Sequence, residues 1–129
     1  VIEIHCLADI NRLGNVLPQK VIEKLEEDFY LLKDWCDPDG NYTYENFECD
    51  LSCGMIVILD GSESLSELRS IGLSEGWDEV VPEDISSFTA DGEEWFRVVV
   101  VYTNSCTVDF FVKNLPQNLR KMLWKYKNR

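Results

Sequence analysis

Nucleophilic catalysis needs a thiol or hydroxyl within reach of a base, and this chain holds a single histidine, His5, directly beside Cys6. In the strand expected there, neighbouring residues point to opposite faces, so these two cannot act as a pair. No Gly-rich phosphate loop, G-x-S-x-G elbow or H-E-x-x-H occurs. The residues therefore point away from an enzyme with no metal. Zinc is the next chemistry to weigh, because Cys36, Cys49 and Cys53 fall in one region and His5 would supply a fourth ligand. Structural zinc draws on two compact ligand pairs, and only the C-x3-C pair is present. The alternative is buried free cysteines behaving as small apolar side chains.

The stretch "DPDGNYTYENFE", residues 37–48, comes directly after a helical pattern and sets Asp37, Asp39, Asn41, Thr43, Glu45 and Glu48 at positions one, three, five, seven, nine and twelve. Those are the positions from which an EF-hand ligates calcium, and the stretch resembles an EF-hand loop over this part of the chain alone. It departs from that pattern at position six, where Tyr42 replaces the turn glycine, and again beyond position twelve, where Gly54 and a strand-like run stand in place of an exit helix. The resemblance implies a calcium-responsive domain using Asp37, Asp39, Asn41 and Glu48. A small metal-dependent enzyme built on Asp37 and Asp39 is a further alternative. Without an ion, Asp-Pro-Asp-Gly-Asn is simply strong turn chemistry.

A second constellation is "SEGWDEVVPEDISSFTADGEEW", residues 74–95. It carries Glu75, Asp78, Glu79, Glu83, Asp84, Asp91, Glu93 and Glu94 with no base, interleaved with Trp77, Phe88 and Trp95. A disordered acidic tract lacks such apolar anchors, so the carboxylates are expected on a fixed ridge. Asp34, Asp37, Asp39, Glu45, Glu48 and Asp50 form another acidic run without a base. Carboxylates speed encounter with a basic surface, and an exposed aromatic supplies the desolvated anchor. The expected function is a non-enzymatic module that masks a basic partner such as a nuclease toxin or nucleic-acid effector, in the manner of immunity, inhibitor or anti-defence proteins. The expected contact residues are Trp77, Asp78, Glu79, Glu83, Asp84, Asp91, Glu93 and Glu94. The competing reading makes the aromatics core and the acids their solvated cover.

The charge balance agrees with such a partner. The chain has 24 acids against 12 bases, a net charge of −12, which repels nucleic acid and anionic lipid. All the acids lie within residues 1–112, whereas residues 113–129 hold six bases and no acid. The tail helix expected there suits docking on the acidic body through its apolar stripe. The longest apolar runs, "MIVIL" and "FRVVVVY", fall far short of the ~20 residues that span a bilayer. Five scattered cysteines, Cys6, Cys36, Cys49, Cys53 and Cys106, make a poor disulfide framework, so a reducing cytoplasm is expected. Monomer and homodimer both remain open, the latter through an exposed hairpin edge.

These residues must be held by one domain, since 129 residues allow one real core. "VIEIHCLA" alternates as a half-buried strand. "LPQKVIEKLEEDFYLLKDWC" places Val21, Leu25, Phe29, Leu32 and Cys36 on one helical stripe. "MIVIL" reads as a buried strand. Ser64 and Glu67 have capping-box spacing for a short helix that carries Leu65, Leu68 and Ile71 and stops at Gly72. A long connection with one helical turn from Pro82 leads into "WFRVVVVYTNSCTVDFFV", a hairpin whose first arm is apolar on both faces. A basic helix from Pro116 ends the chain. The expected order is β-α-β-α-β-β-α, an α+β domain with a mixed or largely antiparallel sheet.

Overall fold

A computed structural model describes residues 1–50, 53–64, 66–67, 82–101, 107–113 and 115. The elements are strand β1 (Ile2–Ile4), helix α1 (Leu7–Asn11), helix α2 (Gln19–Cys36), β2 (Gly54–Leu59), β3 (Ile85–Ala90), β4 (Glu93–Val101) and β5 (Thr107–Val112). They build an α+β domain around one five-stranded mixed sheet in the order β1-β2-β5-β4-β3. Only the β2–β5 pair is parallel; the other three pairs are antiparallel.

The three inner strands are apolar on both faces because both faces are covered. On one side Ile56, Ile58, Trp95 and Phe111 meet the α2 stripe of Val21, Ile22, Leu25, Phe29 and Leu32. On the other side Met55, Val57, Val98, Val100, Val108, Phe110 and Val112 form a second core. Close approach of α2 to the sheet requires Gly54, where a Cβ would lie 2.8 Å from the Leu32 side chain.

The observed order of elements is β-α-α-β-β-β-β, and the expected one is corrected at two places. The first strand stops at Ile4, and Leu7–Asn11 turns helical. Asp9, in the first turn of α1, reaches back to accept the His5 N–H at 2.9 Å, so the chain bends there instead of continuing its alternation. Second, Ile85–Ala90 is a strand and not part of a long connection. It pairs along its whole length with β4, through a two-residue turn in which Asp91 and Gly92 both have positive φ. Asp-Gly is the favoured sequence for such a turn. The β4 and β5 strands lie inside the sheet, as a first arm apolar on both faces implies, leaving β1 and β3 as its edges. That removes the hairpin as an edge for a homodimer.

Other expectations hold. A 3-10 turn covers Pro82–Asp84. Ser64 Oγ accepts the Glu67 N–H at 3.1 Å, the capping contact expected there. The remainder of that helix, the "TNS" turn and the basic helix from Pro116 lie outside the described residues. No described helix is long and apolar enough to cross a membrane.

Candidate functional site

The longest helix presents a second, outward face. With Val21, Leu25, Phe29 and Leu32 turned inward, helical geometry leaves Tyr30, Leu31, Asp34 and Trp35 on the outside, and all four are exposed. Leu31 is 62% exposed and Trp35 64%. The loop after α2 adds Tyr42, 59% exposed, and Tyr44. Tyr44 lies against the helix: its ring meets Tyr30 edge to face at 4.9 Å, and its hydroxyl donates to Asp34 Oδ1 at 3.1 Å. That hydrogen bond to a carboxylate raises the Tyr44 pKa. Asp39, Glu45, Glu48 and Asp50 are exposed on the same loop.

This loop is firmly held. The buried Asp37 carboxylate accepts from Lys33 Nζ at 2.8 Å, from the Asn41 N–H at 2.9 Å and from the Tyr42 N–H at 3.0 Å. Lys33 first, and then the two backbone donors, keep the Asp37 pKa below its usual value. Phe47 packs edge to face on Phe29 at 5.7 Å. Farther on, the Cys49 N–H donates to the His5 carbonyl at 2.8 Å and its thiol to the Ile4 carbonyl at 3.3 Å, while His5 Nδ1 lies 2.8 Å from the Cys49 carbonyl. Burial pushes the Cys49 thiol up to about 12, so it stays an inert packing group. Finally, Cys36 and Cys53 form a disulfide, Cα to Cα 6.0 Å, closing the loop at its base.

These contacts revise several expectations. The bonded Cys36–Cys53 pair corrects the reading of free or zinc-binding cysteines. Cys6 and Cys49 are the free cysteines among the described residues, and Cys106 lies outside them. His5 is a structural donor, its Nδ1–H given to the Cys49 carbonyl at 2.8 Å. In the calcium-like loop, Asp37 is filled by an ammonium and two N–H groups, while Asp39, Asn41 and Glu48 are exposed to solvent. Among the described residues no three His, Cys, Asp or Glu side chains gather as a metal site.

The expected acidic ridge is divided. Glu83 and Asp84 sit at the start of β3, and Asp91, Glu93 and Glu94 at its far end, one strand length of ~17–20 Å away. Glu93 is ion-paired with Lys113, the first base of the tail. Trp95 is buried and Phe88 packs on the core, as the competing reading has it. Trp77, Asp78 and Glu79 lie outside the described residues.

A third feature sits where α2 crosses β3 and β4. Arg97 Nη2 lies 2.7 Å from Asp109 Oδ2 and 2.6 Å from Asp28 Oδ1, the first a hydrogen bond and the second an ion pair without hydrogen-bond alignment. Both carboxylates are buried, at 3% exposure for Asp28 and 1% for Asp109. Burial first, and then the neighbouring Asp109, raise the Asp28 pKa far above the carboxylate range, with Arg97 offsetting part of it. A cleft of about 190 Å³ opens beside this cluster, lined by Lys24, Glu27, Leu31, Ser86, Phe88 and Phe111 among others.

The exposed large apolar side chains of α2 are legible in principle, since Tyr30, Leu31 and Trp35 are off the apolar stripe. The buried charges leave a weaker signal: Arg97 and Asp109 each interrupt an otherwise apolar strand. Comparison of the chain with family models, with curated proteins and with solved structures finds no match.

Proposed function

We propose that the protein is a non-enzymatic module that masks a basic protein partner, with its main contact surface on the outer face of α2 and the loop of residues 37–50. One observation carries this: Tyr30, Leu31, Trp35, Tyr42 and Tyr44 are exposed together among Asp34, Asp39, Glu45, Glu48 and Asp50. A monomer rarely leaves that many large apolar side chains on neighbouring elements uncovered without a use. Aromatic anchors supply affinity, and the surrounding carboxylates supply steering and choice of partner. The disulfide and the Asp37 hydrogen bonds hold the loop before the partner arrives, which lowers the ordering cost of binding.

The contact residues expected from the sequence keep a lesser part. Glu83, Asp84, Asp91, Glu93 and Glu94 extend the negative field over the β3 hairpin, and Trp77, Asp78 and Glu79 are kept as partner contacts on their residue types alone. Targets of suitable chemistry are proteins with nucleic-acid-binding surfaces, such as a nuclease toxin or nucleic-acid effector. That chemistry suits an immunity protein, an inhibitor or an anti-defence protein. For the compartment, the Cys36–Cys53 bond removes the ground for expecting a reducing cytoplasm and favours an oxidising one.

The test is capture of a basic protein on immobilised protein with stepwise salt elution, comparing the native chain with Trp35→Ala and with Asp34→Lys/Glu45→Lys/Glu48→Lys. Retention of the same basic protein until high salt by the native chain, with loss in both variants, is the expected result. For Trp35→Ala the expected weakening is ~30-fold or more, the scale of an interface anchor. Equal retention by all three moves the contact surface elsewhere.

A further inference from the structure

The two edges of the sheet are finished differently. β1 is three residues long, which blunts it as a template for pairing. β3 runs for six residues, "ISSFTA", and matches β4 one to one from Ile85 to Ala90 with no bulge. It contains no lysine, no proline and no charged side chain, the usual devices that protect an edge. Ser86, Ser87 and Thr89 are exposed along it.

Which backbone groups stand open follows from the turn. Ala90 and Glu93 close the two-residue turn at Asp91 and Gly92, and so form a hydrogen-bonded pair. Alternation makes Phe88 with Trp95, and Ser86 with Arg97, the next bonded pairs. The N–H and C=O groups of Ile85, Ser87 and Thr89 are thereby turned away from β4. No described strand lies beyond β3, and among the described residues no hydrogen bond reaches those outward groups. A row of backbone donors and acceptors of this kind is what an extended peptide pairs with when it adds to a sheet.

Charge decides which peptide. Glu83 stands just before the strand, and Asp91 and Glu94 stand in and after the turn, all three exposed. The described cations near β3 are already matched: Lys24 with Glu27, Lys113 with Glu93, and Arg97 with Asp28 and Asp109. Carboxylates therefore flank the open backbone at both ends. A second copy of this chain is a poor occupant. Antiparallel pairing of two β3 strands sets Glu83 of one beside Asp91 and Glu94 of the other, and parallel pairing sets like ends together.

We infer that β3 receives an extended segment of the basic partner as an added strand, with lysine or arginine side chains at its ends set against Glu83 and against Asp91 and Glu94. Main-chain hydrogen bonds to Ile85, Ser87 and Thr89 supply affinity, and the end charges select a basic segment over an acidic one. The source of that segment rests on the masking reading, whereas the open edge does not.

The experiment uses the intact, disulfide-bonded chain and the end-blocked peptide Lys-Thr-Val-Thr-Val-Thr-Lys as probe. Two control peptides accompany it, one with glutamate for both lysines and one N-methylated throughout its central Val-Thr-Val. Amide hydrogen exchange along β3 is followed by NMR. The lysine peptide should slow exchange at Ile85, Ser87 and Thr89, with little change at Ser86, Phe88 and Ala90, which already bond to β4. Both control peptides should bind ~10-fold or more weakly. The lysine peptide should weaken by the same ~10-fold or more on Ser87→Pro, a change that an edge strand tolerates where its N–H faces outward. Glu83→Lys/Glu94→Lys should weaken it too while leaving the backbone untouched. Protection without the alternation, equal binding of either control peptide, or unchanged binding in both variants overturns the inference. Protection of the same amides that rises with protein concentration and needs no peptide gives the edge to a second copy, and overturns it as well. Capture of a basic protein through Trp35 with no change at Ile85, Ser87 and Thr89 removes the added strand and leaves the masking reading. Peptide bound at β3 with no basic protein retained upholds the edge and removes the masking reading.

Discussion

Two buried ionic sites flank the same helix, and they are built to opposite rules. At the C-terminal end of α2, Lys33 and Asp37 match one cation to one carboxylate, and two backbone N–H groups complete the hydrogen bonding. In the middle of α2, Asp28 and Asp109 share a single Arg97, whose Nη2 lies 2.6 Å from the first and 2.7 Å from the second. The first site lowers the pKa of its carboxylate, and the second raises it. A balanced, saturated pair is structure: it fixes the turn that carries Tyr42 and Tyr44. Two buried carboxylates on one guanidinium instead favour keeping a proton on the pair.

The largest expected effect comes from breaking the balanced site. Asp37→Ala leaves the Lys33 ammonium buried without its carboxylate and frees the Asn41 and Tyr42 N–H groups. A marked fall in melting temperature is expected, together with loss of protection in the 37–48 amides during hydrogen exchange. The pH dependence has a definite sign. The folded pKa of Asp37 lies below its ordinary value of 3.8, so its stabilisation is present above 3.8 and is lost as pH falls through the depressed value. Unchanged unfolding between native and Asp37→Ala at neutral pH would equate the two sites and undo the contrast.

Opening the disulfide should have the next largest effect. A bond between Cys36 and Cys53, 17 residues apart, is expected to contribute ~3 kcal/mol through the loop it closes. Urea unfolding of Cys36→Ser/Cys53→Ser against the oxidised native chain measures it. Capture of a basic protein should weaken as well, because the loop with Tyr42 and Tyr44 then has to be ordered on binding.

The smallest effect, and the sharpest in sign, belongs to Asp28→Asn. A carboxylic acid whose folded pKa is raised contributes stability that is fully present below 3.8 and is lost as pH rises towards the folded value. The native chain should therefore lose stability between mildly acidic and mildly alkaline pH, and Asp28→Asn should flatten that slope. Thermal melts at several pH values decide it. An identical slope in both proteins would mean that Asp28 is already satisfied in the fold.

Much of the fold can be read directly from the residues. The α2 stripe of Val21, Leu25, Phe29 and Leu32 packs inward, "MIVIL" is a buried strand, and the paired runs around residues 95–112 are antiparallel neighbours in the sheet. The β3 strand is hidden because "ISSFTA" has little apolar content of its own and depends on pairing with β4, although Asp91-Gly92 marks its turn. Acids near residues 74–95 read as one surface because they are close in sequence. A strand between Asp84 and Asp91 carries them apart.

What the sequence by itself determined is what depends on local order and on sums: an α+β domain, an acidic body, helical and strand periodicities, and no apolar run long enough to span a bilayer. Tertiary structure alone decided which charges meet. Asp28, Arg97 and Asp109 come from α2, β4 and β5, and Cys36 and Cys53 from opposite ends of a loop. The physical reason is that burial and pairing are properties of distance in space, and in a mixed sheet with a parallel crossover that distance has little relation to separation along the chain.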